Sequence, residues 1–226
     1  KIEAVLSKVQ DYKVTLDGNE TFQDVESLSV FVQALTKHEA TRRLLERTLL
    51  IEQPLPRAIA LEEKMPPMPL NIPVILDESD DHPDVLAKGL ALGYRGISSK
   101  ACKGIYRSLR SASLVQNTPQ CLLSGEDLTC QAGLGVQQDT LLATSLGVQH
   151  IERNGHHYVK GFGIAPTHES MDFAKAHADL YSSSNVGVHL NVQQGQINIA
   201  SLHQTGFGHQ AWPDWQSLDP ISISGN

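Results

Sequence analysis

The sequence contains few cysteines, no excess of positive charge and no long apolar segment. Lys and Arg total 18 against 25 Asp and Glu in 226 residues, which gives a formal net charge of −7. This balance removes the electrostatic basis for non-specific nucleic-acid binding, so we expect no nucleic-acid partner. No apolar run approaches the roughly 18 residues that a membrane-spanning helix needs, so we expect no membrane association.

The cysteines also exclude a disulfide framework. Cys102, Cys121 and Cys130 form an odd number without a C-x-x-C pair, which fits a reducing compartment, so we expect buried thiols and a cytoplasmic protein. The ten histidines lack zinc-ligand spacing. No Gly-rich phosphate-binding motif occurs, which leaves nucleotide binding without support.

Residues 14–152 alternate short β-rich runs with helical patterns, an order typical of βα units around a parallel sheet. Six runs predict strands, at residues 13–16, 48–51, 73–76, 94–97, 120–123 and 148–151. Their nearly continuous apolar content indicates that helices cover the outer face of the sheet. We therefore predict an α/β fold of about six βα units in residues 1–160.

The pattern changes after residue 160. A helix is predicted near residues 169–180, followed by a hairpin with arms at 186–192 and 197–200 joined through Gln194-Gly195. The tail from Gly206 has no periodicity. Residues 161–226 are therefore predicted to form a C-terminal accessory segment.

Charged residues follow four consecutive predicted strands. Asp17, Glu52 and Asp77 end the first three, and Lys100 ends the fourth. Any one acid could instead cap a helix. In a β/α barrel, however, the carboxyl ends of the strands converge on one face. Three acids gathered there would raise each other's pKa unless a cation compensated them, and oxygen ligands select Mg²⁺, with Mn²⁺ as an alternative.

Lys100 has two interpretations. An isolated lysine is usually a solvated surface charge. Beside a cation and partly buried, a lysine has a lowered pKa and can serve as a general base, which is the role predicted for Lys100. Neighbouring or substrate-side roles are predicted for five further polar residues, Asn19, Glu78, Glu126, Asp127 and Glu152.

Four motifs together carry a family resemblance. They are Asp17-Gly18-Asn19, Glu52-Gln53-Pro54, Asp77-Glu78-Ser79 and Lys100-Ala101-Cys102-Lys103-Gly104. In order and spacing they resemble the metal-binding and catalytic strands of the enolase superfamily, and within it the mandelate racemase and muconate-lactonizing enzyme families. An aspartate at the third ligand and a lysine on the next strand are more similar to the muconate-lactonizing and dipeptide-epimerase subgroup.

The resemblance implies a modified TIM-type barrel, incomplete in this chain, with Asp17, Glu52 and Asp77 as ligands of Mg²⁺. It further implies that Lys100 removes the proton next to the carboxylate of a small substrate, and that the metal stabilises the resulting enediolate. The expected activity is that of an isomerase or lyase of the racemase, epimerase, cycloisomerase or dehydratase type.

The sequence departs from the subgroup in one respect. It contains no K-x-K pair before Asp17 and no N-terminal capping domain. We therefore expect this chain to be part of a longer polypeptide, with residues 161–226 packed on that cap and the intact protein a homo-oligomer. The alternative is a non-catalytic relative or fragment that binds a metal or a partner without turnover.

Overall fold

A computed structural model describes residues 2–9, 11–127, 131–154, 161–206 and 208–219. Contacts divide the chain into two compact units, residues 1–124 and 125–226. The domain boundary predicted at residue 160 falls on residues outside the described ranges and stays a prediction. None of the helices in those ranges combines the length and apolar character that a membrane crossing requires.

The first unit alternates strands and helices. Its helices are α1 (Ile2–Leu6), α2 (Val25–Thr36), α3 (Glu39–Glu46), α4 (Val85–Leu92) and α5 (Ile105–Gln116). Its strands are β1 (Val14–Asp17), β2 (Thr48–Glu52), β3 (Val74–Ile75) and β4 (Gly96–Ser99), and β5 (Leu122–Asp127) begins in it. Each of the first five predicted strands therefore overlaps an observed one.

The strands of the first unit run parallel in chain order. β1 pairs with β2 and β2 pairs with β3, both in parallel, and a parallel bridge from Leu76 to Ile97 leads on to β4. Helices connect β1 to β2, β3 to β4 and β4 to β5, as expected for βα units, whereas β2 and β3 are connected by a loop with one short 3-10 turn at Pro69–Asn71. The parallel α/β arrangement is confirmed, while closure into a barrel stays a prediction.

Local sequence signals set the ends of the helices. α2 begins after Asp24, whose carboxylate accepts a hydrogen bond from the N–H of Ser27 over 2.7 Å, a capping interaction. α4 ends before Gly93, which has a φ of 102°. A Cβ at Gly93 would lie 2.5 Å from the carbonyl oxygen of Met65, so both the backbone conformation and the close approach require glycine.

The core of the first unit lies between the helices and the sheet. Its buried apolar side chains come from α2, α3 and α4 on one side and from the strands on the other: Leu28, Val32, Leu45, Ile51, Val74, Leu76, Val85, Leu86 and Ile97. Tyr94 is also buried, and its hydroxyl donates to the carbonyl oxygen of Ala60 over 2.8 Å. This packing fixes the carboxyl ends of the strands, where the charged residues follow.

In its described residues, the second unit contains the end of β5, two α-helices and five short strands. The helices are α6 (Leu134–Ser145) and α7 (Thr167–Ala176). The strands are β6 (Glu152–Arg153), β7 (Tyr181–Ser184), β8 (Gly187–Leu190), β9 (Val192–Gln193) and β10 (Gln196–Ile197). β5 and β6 pair in parallel, and an aromatic group of Phe162, Phe173 and Tyr181 lies in the core.

The sixth predicted strand is misplaced, because β6 follows residues 148–151 and does not include them. The first residue of this apolar run, Val148, contacts the end of α6 instead of forming a strand. The N–H of Val148 donates to the carbonyl oxygen of Ala143 over 2.9 Å, and Gly147 has a φ of 71°. Val148 therefore completes the C-terminal cap of α6.

The predicted single hairpin is also wrong, because two hairpins form. The β9–β10 pair turns through Gln194 and Gly195 as predicted, with φ values of 52° and 76°. The first predicted arm, however, contributes β8, which pairs antiparallel with β7. The helix predicted to reach residue 180 ends at Ala176, because residues 177–180 form a turn that leads into β7.

The prediction of buried thiols fails for one cysteine. Cys102 is exposed and Cys121 is half-buried, and neither is joined in a disulfide. Cys130 lies outside the described residues.

Candidate metal centre

The strand ends of the first unit bring the predicted charged residues to one edge of the sheet. Asp17 ends β1 and lies in register with Glu52, which ends β2. Asp77 follows β3 by two residues, and Lys100 comes directly after β4. The parallel direction of the strands places these residues on the same side.

Glu52 and Asp77 form a buried acidic pair. They are 6% and 4% exposed, and one carboxylate oxygen of each lies within 4.8 Å of the other. Burial raises the pKa of Glu52 to about 8, and the negative charge of Asp77 adds to this effect. Without a cation beside it, Glu52 therefore keeps its proton at neutral pH.

Two lysines contact the carboxylate of Asp77. The ammonium of Lys100 donates to Oδ2 over 2.7 Å, and that of Lys103 donates to Oδ1 over 2.7 Å. Lys100 thus lies beside a predicted metal ligand as its partner in an ion pair, and its role as a base stays a prediction. Sequence reasoning missed Lys103, although it stands three residues after Lys100 in the same quoted motif.

Gln53 was also not identified from the sequence, and its side chain connects the ends of two strands through hydrogen bonds. Its side chain is fully buried. The amide nitrogen donates to Leu55 O and Ser79 Oγ over 2.7 and 2.8 Å, and the amide oxygen accepts from the N–H groups of Asp77 and Ser79 over 2.8 and 3.2 Å. The only feature of the sequence that could have indicated this role is the position of a glutamine directly after a strand-end acid.

Asp17 differs from the other two acids because it is exposed. Its carboxylate accepts from the main-chain N–H of Asn19 over 2.8 Å and from the Asn19 side-chain amide over 3.4 Å. Nearby, Arg57 donates to Glu20 over 2.9 Å and lowers the pKa of that carboxyl to about 2. This ion pair ties the turn after β1 to the loop after β2.

Glu78 lies next to Asp77 and is half-buried. Its Oε2 atom is buried and has no hydrogen-bond partner within the described ranges. Burial raises the pKa of Glu78, and the charge of Asp77 adds to the rise. A substrate-side role for this residue stays a prediction.

Three predicted residues lie in the second unit. Glu126 stands in register with the exposed Glu152 and accepts from the side-chain amide of Asn154 over 2.8 Å. Asp127 is fully buried; it accepts from Arg153 over 3.1 Å and from the N–H of Asn154 over 2.7 Å. These contacts hold β5 and β6 together, and a substrate-side role for the three acids stays a prediction.

The donor set of the first unit fits a hard divalent cation. Glu52 and Asp77 offer buried carboxylate oxygens, the ligand type that Mg²⁺ prefers. Each carboxylate oxygen has two lone pairs, so the lysine contacts leave Asp77 with acceptor capacity. The raised pKa of Glu52 shows that positive charge would be favourable beside it.

Comparison with known proteins gives a structural likeness. No family model matches the sequence, and no curated protein sequence matches it. Fifteen chains of solved structures resemble this chain. One, described as a mandelate racemase/muconate lactonizing protein from Herpetosiphon aurantiacus, matches with a TM-score of 0.52 and 21% identity. The match covers 67% of this chain and 41% of that chain, so this chain spans less than half of that protein.

This likeness identifies the fold. The chain has the α/β architecture with parallel strands found in part of that mandelate racemase/muconate lactonizing protein. It agrees with the resemblance carried by the strand-end motifs.

Proposed function

We propose that this chain carries part of the centre of a metal-dependent isomerase or lyase that removes the proton next to the carboxylate of a small substrate. The observation that carries the proposal is the meeting of Glu52, Asp77 and Lys100 beyond neighbouring parallel strands. The proposed reaction is of the racemase, epimerase, cycloisomerase or dehydratase type, and the protein with the similar fold is described as a mandelate racemase/muconate lactonizing protein.

Glu52 and Asp77 would hold the cation, with Asp17 beside Glu52 as the third ligand. The proposed ion is Mg²⁺, or Mn²⁺ in its place. When bound, it supplies positive charge that stabilises negative charge developing on the substrate as the proton leaves. The burial of Glu52 and Asp77 strengthens such electrostatic effects by excluding water.

Lys100 is the proposed general base. Its side chain is buried and directed by the contact with Asp77, so its amine is confined near the acidic pair. To act, Lys100 must release its proton and then accept the α-proton of the substrate at Nζ. Asp77 stabilises the ammonium formed in that step.

The remaining features of the proposal concern the whole protein. We propose a cytoplasmic location, because Cys102 and Cys121 are not joined in a disulfide and the sequence has no disulfide framework. We also propose a homo-oligomer, supported by the exposed apolar side chains of Tyr106 and Leu109 on α5. Light scattering of the purified protein tests the second point.

Proton exchange tests the activity. The protein is incubated in deuterated water with Mg²⁺ and a panel of small hydroxy, amino, dipeptide and aromatic carboxylates, and deuterium at the α-carbon is measured by NMR. We expect exchange with at least one class, lost on addition of EDTA. If calorimetry shows bound Mg²⁺ and no carboxylate exchanges, the proposal is wrong.

A non-catalytic metal-binding relative is the second candidate. It is favoured by the two lysines on Asp77, because a lysine held as an ammonium cannot accept a proton. Metal binding without exchange across the panel would support this candidate over the enzyme.

A further inference from the structure

The ammonium of Lys103 makes three hydrogen bonds within the protein, whereas a surface lysine is usually solvated. Its ammonium donates to Oδ1 of Asp77 over 2.7 Å, to the main-chain oxygen of Asp77 over 2.9 Å and to the main-chain oxygen of Ser98 over 3.0 Å. An ammonium has three donors, so all three are used. Its position between the ends of β3 and β4 is therefore fixed.

The environment of Lys103 is largely shielded from water. Its side chain is 13% exposed, and the carboxylate of Asp80 lies 3.7 Å from Nζ. Arg107 lies 3.7 Å from the other oxygen of Asp80, which gives that acid a counter-charge of its own. The positive charge of Lys103 is thus directed mainly towards Asp77.

The acidic pair needs a counter-charge when no metal is bound. Glu52 and Asp77 are both buried, so a carboxylate that ionises there destabilises the folded state unless a positive charge lies beside it. Lys100 supplies one positive charge in direct contact with Asp77, and Lys103 supplies a second. The charge of Lys103 would also repel a divalent cation approaching that carboxylate.

We infer that Lys103 is an internal counter-ion that stabilises the metal-free centre and competes electrostatically with the divalent cation. The inference rests on the proposed metal site. It differs from a purely structural role, in which Lys103 only connects the ends of β3 and β4. A structural role would affect stability equally with and without metal.

Calorimetry and thermal unfolding of the full chain separate these roles. Lys103→Met removes the charge and the donors, and Lys103→Gln removes the charge but keeps donors. Lys88→Met, at an exposed position on α4, is the matched control. We expect both Lys103 variants to bind Mg²⁺ about tenfold more tightly or better than wild type and the control.

In EDTA both Lys103 variants should have a lower Tm than wild type, and saturating Mg²⁺ should raise their Tm by more than it raises that of wild type. Folding only in the presence of Mg²⁺ also supports the inference. Unchanged or weaker Mg²⁺ affinity, or failure to fold with or without Mg²⁺, overturns it. If neither wild type nor variants bind Mg²⁺ or Mn²⁺, the proposed metal site is wrong as well, so the two failures are distinguishable.

Discussion

The main-chain N–H of Asp77 donates to the side-chain oxygen of Gln53 over 2.8 Å. The residue that follows one strand-end acid therefore fixes the backbone of the next acid. Gln53 adopts this position with a φ of 30°, in the left-handed region that few non-glycine residues occupy. The buried hydrogen bonds of its side chain compensate for that conformation.

Replacing Gln53 should destabilise the first unit. Gln53→Ala leaves the buried N–H groups of Asp77 and Ser79 without their acceptor. Each unpaired buried group costs about 1–3 kcal/mol, so we expect a loss of about 3 kcal/mol in the free energy of unfolding, measured in urea. Gln33→Ala, at an exposed position of α2, should change it by less than about 0.5 kcal/mol. If both variants lowered the free energy of unfolding equally, the stabilising role of the Gln53 hydrogen bonds would be wrong.

Lys100 should be required for proton abstraction and not for metal binding. Lys100→Ala removes the proposed base, so exchange into the substrate should fall by a factor of about 10² or more. Mg²⁺ binding, measured by calorimetry, should be retained because Glu52 and Asp77 remain, and it should become tighter because a positive charge beside Asp77 is lost. Lys88→Ala controls for the loss of a lysine. Parallel loss of exchange and metal binding would argue against the role of base.

Glu52 should make the metal-free protein less stable as the pH rises. Its pKa is about 8 in the folded chain against 4.5 ordinarily, so the folded state holds the proton more tightly than the unfolded state. The stabilising contribution is complete below pH 4.5 and is lost as the pH rises through 8. Glu52→Gln removes this dependence and should be more stable than wild type at pH 8 by several kcal/mol, as an order of magnitude.

Urea unfolding in EDTA at several pH values measures this effect. The informative quantity is the difference between Glu52→Gln and wild type, because other groups also titrate in the same range. We expect the difference to grow between pH 5 and pH 8. Glu63→Gln, at an exposed position, serves as the control. A difference that does not vary with pH would refute the raised pKa.

Asp127 and Arg153 should act as a pair in the stability of the second unit. Arg153→Met removes the ion pair that Arg153 makes with the fully buried Asp127, and breaking a buried ion pair costs about 3–5 kcal/mol in comparable cases. The double variant Asp127→Asn with Arg153→Met should recover part of the loss, measured by urea unfolding. If Asp127→Asn keeps its stability and loses proton exchange, the predicted substrate-side role gains support instead.

The sequence predicted most of the strands of the first unit. Five strands overlap the predicted runs because parallel strands covered by helices have short, nearly continuous apolar segments. Prediction was weaker in the second unit, where strands are short. The run at Val148 was equally suited to a strand and to a helix cap, and the arm at Gly187 could pair in either direction along the chain. Contacts with residues outside each segment determined both the conformation at Val148 and the pairing of the arm at Gly187.

The order of residues alone determined that Asp17, Glu52, Asp77 and Lys100 follow successive strands, since this depends only on spacing and on strands running in one direction. Tertiary structure decided what each side chain contacts. It exposed Asp17, buried Glu52 and Asp77 together, and paired Asp77 with two lysines. Burial and charge pairing depend on neighbours distant in sequence, and those neighbours set the electrostatics of the centre.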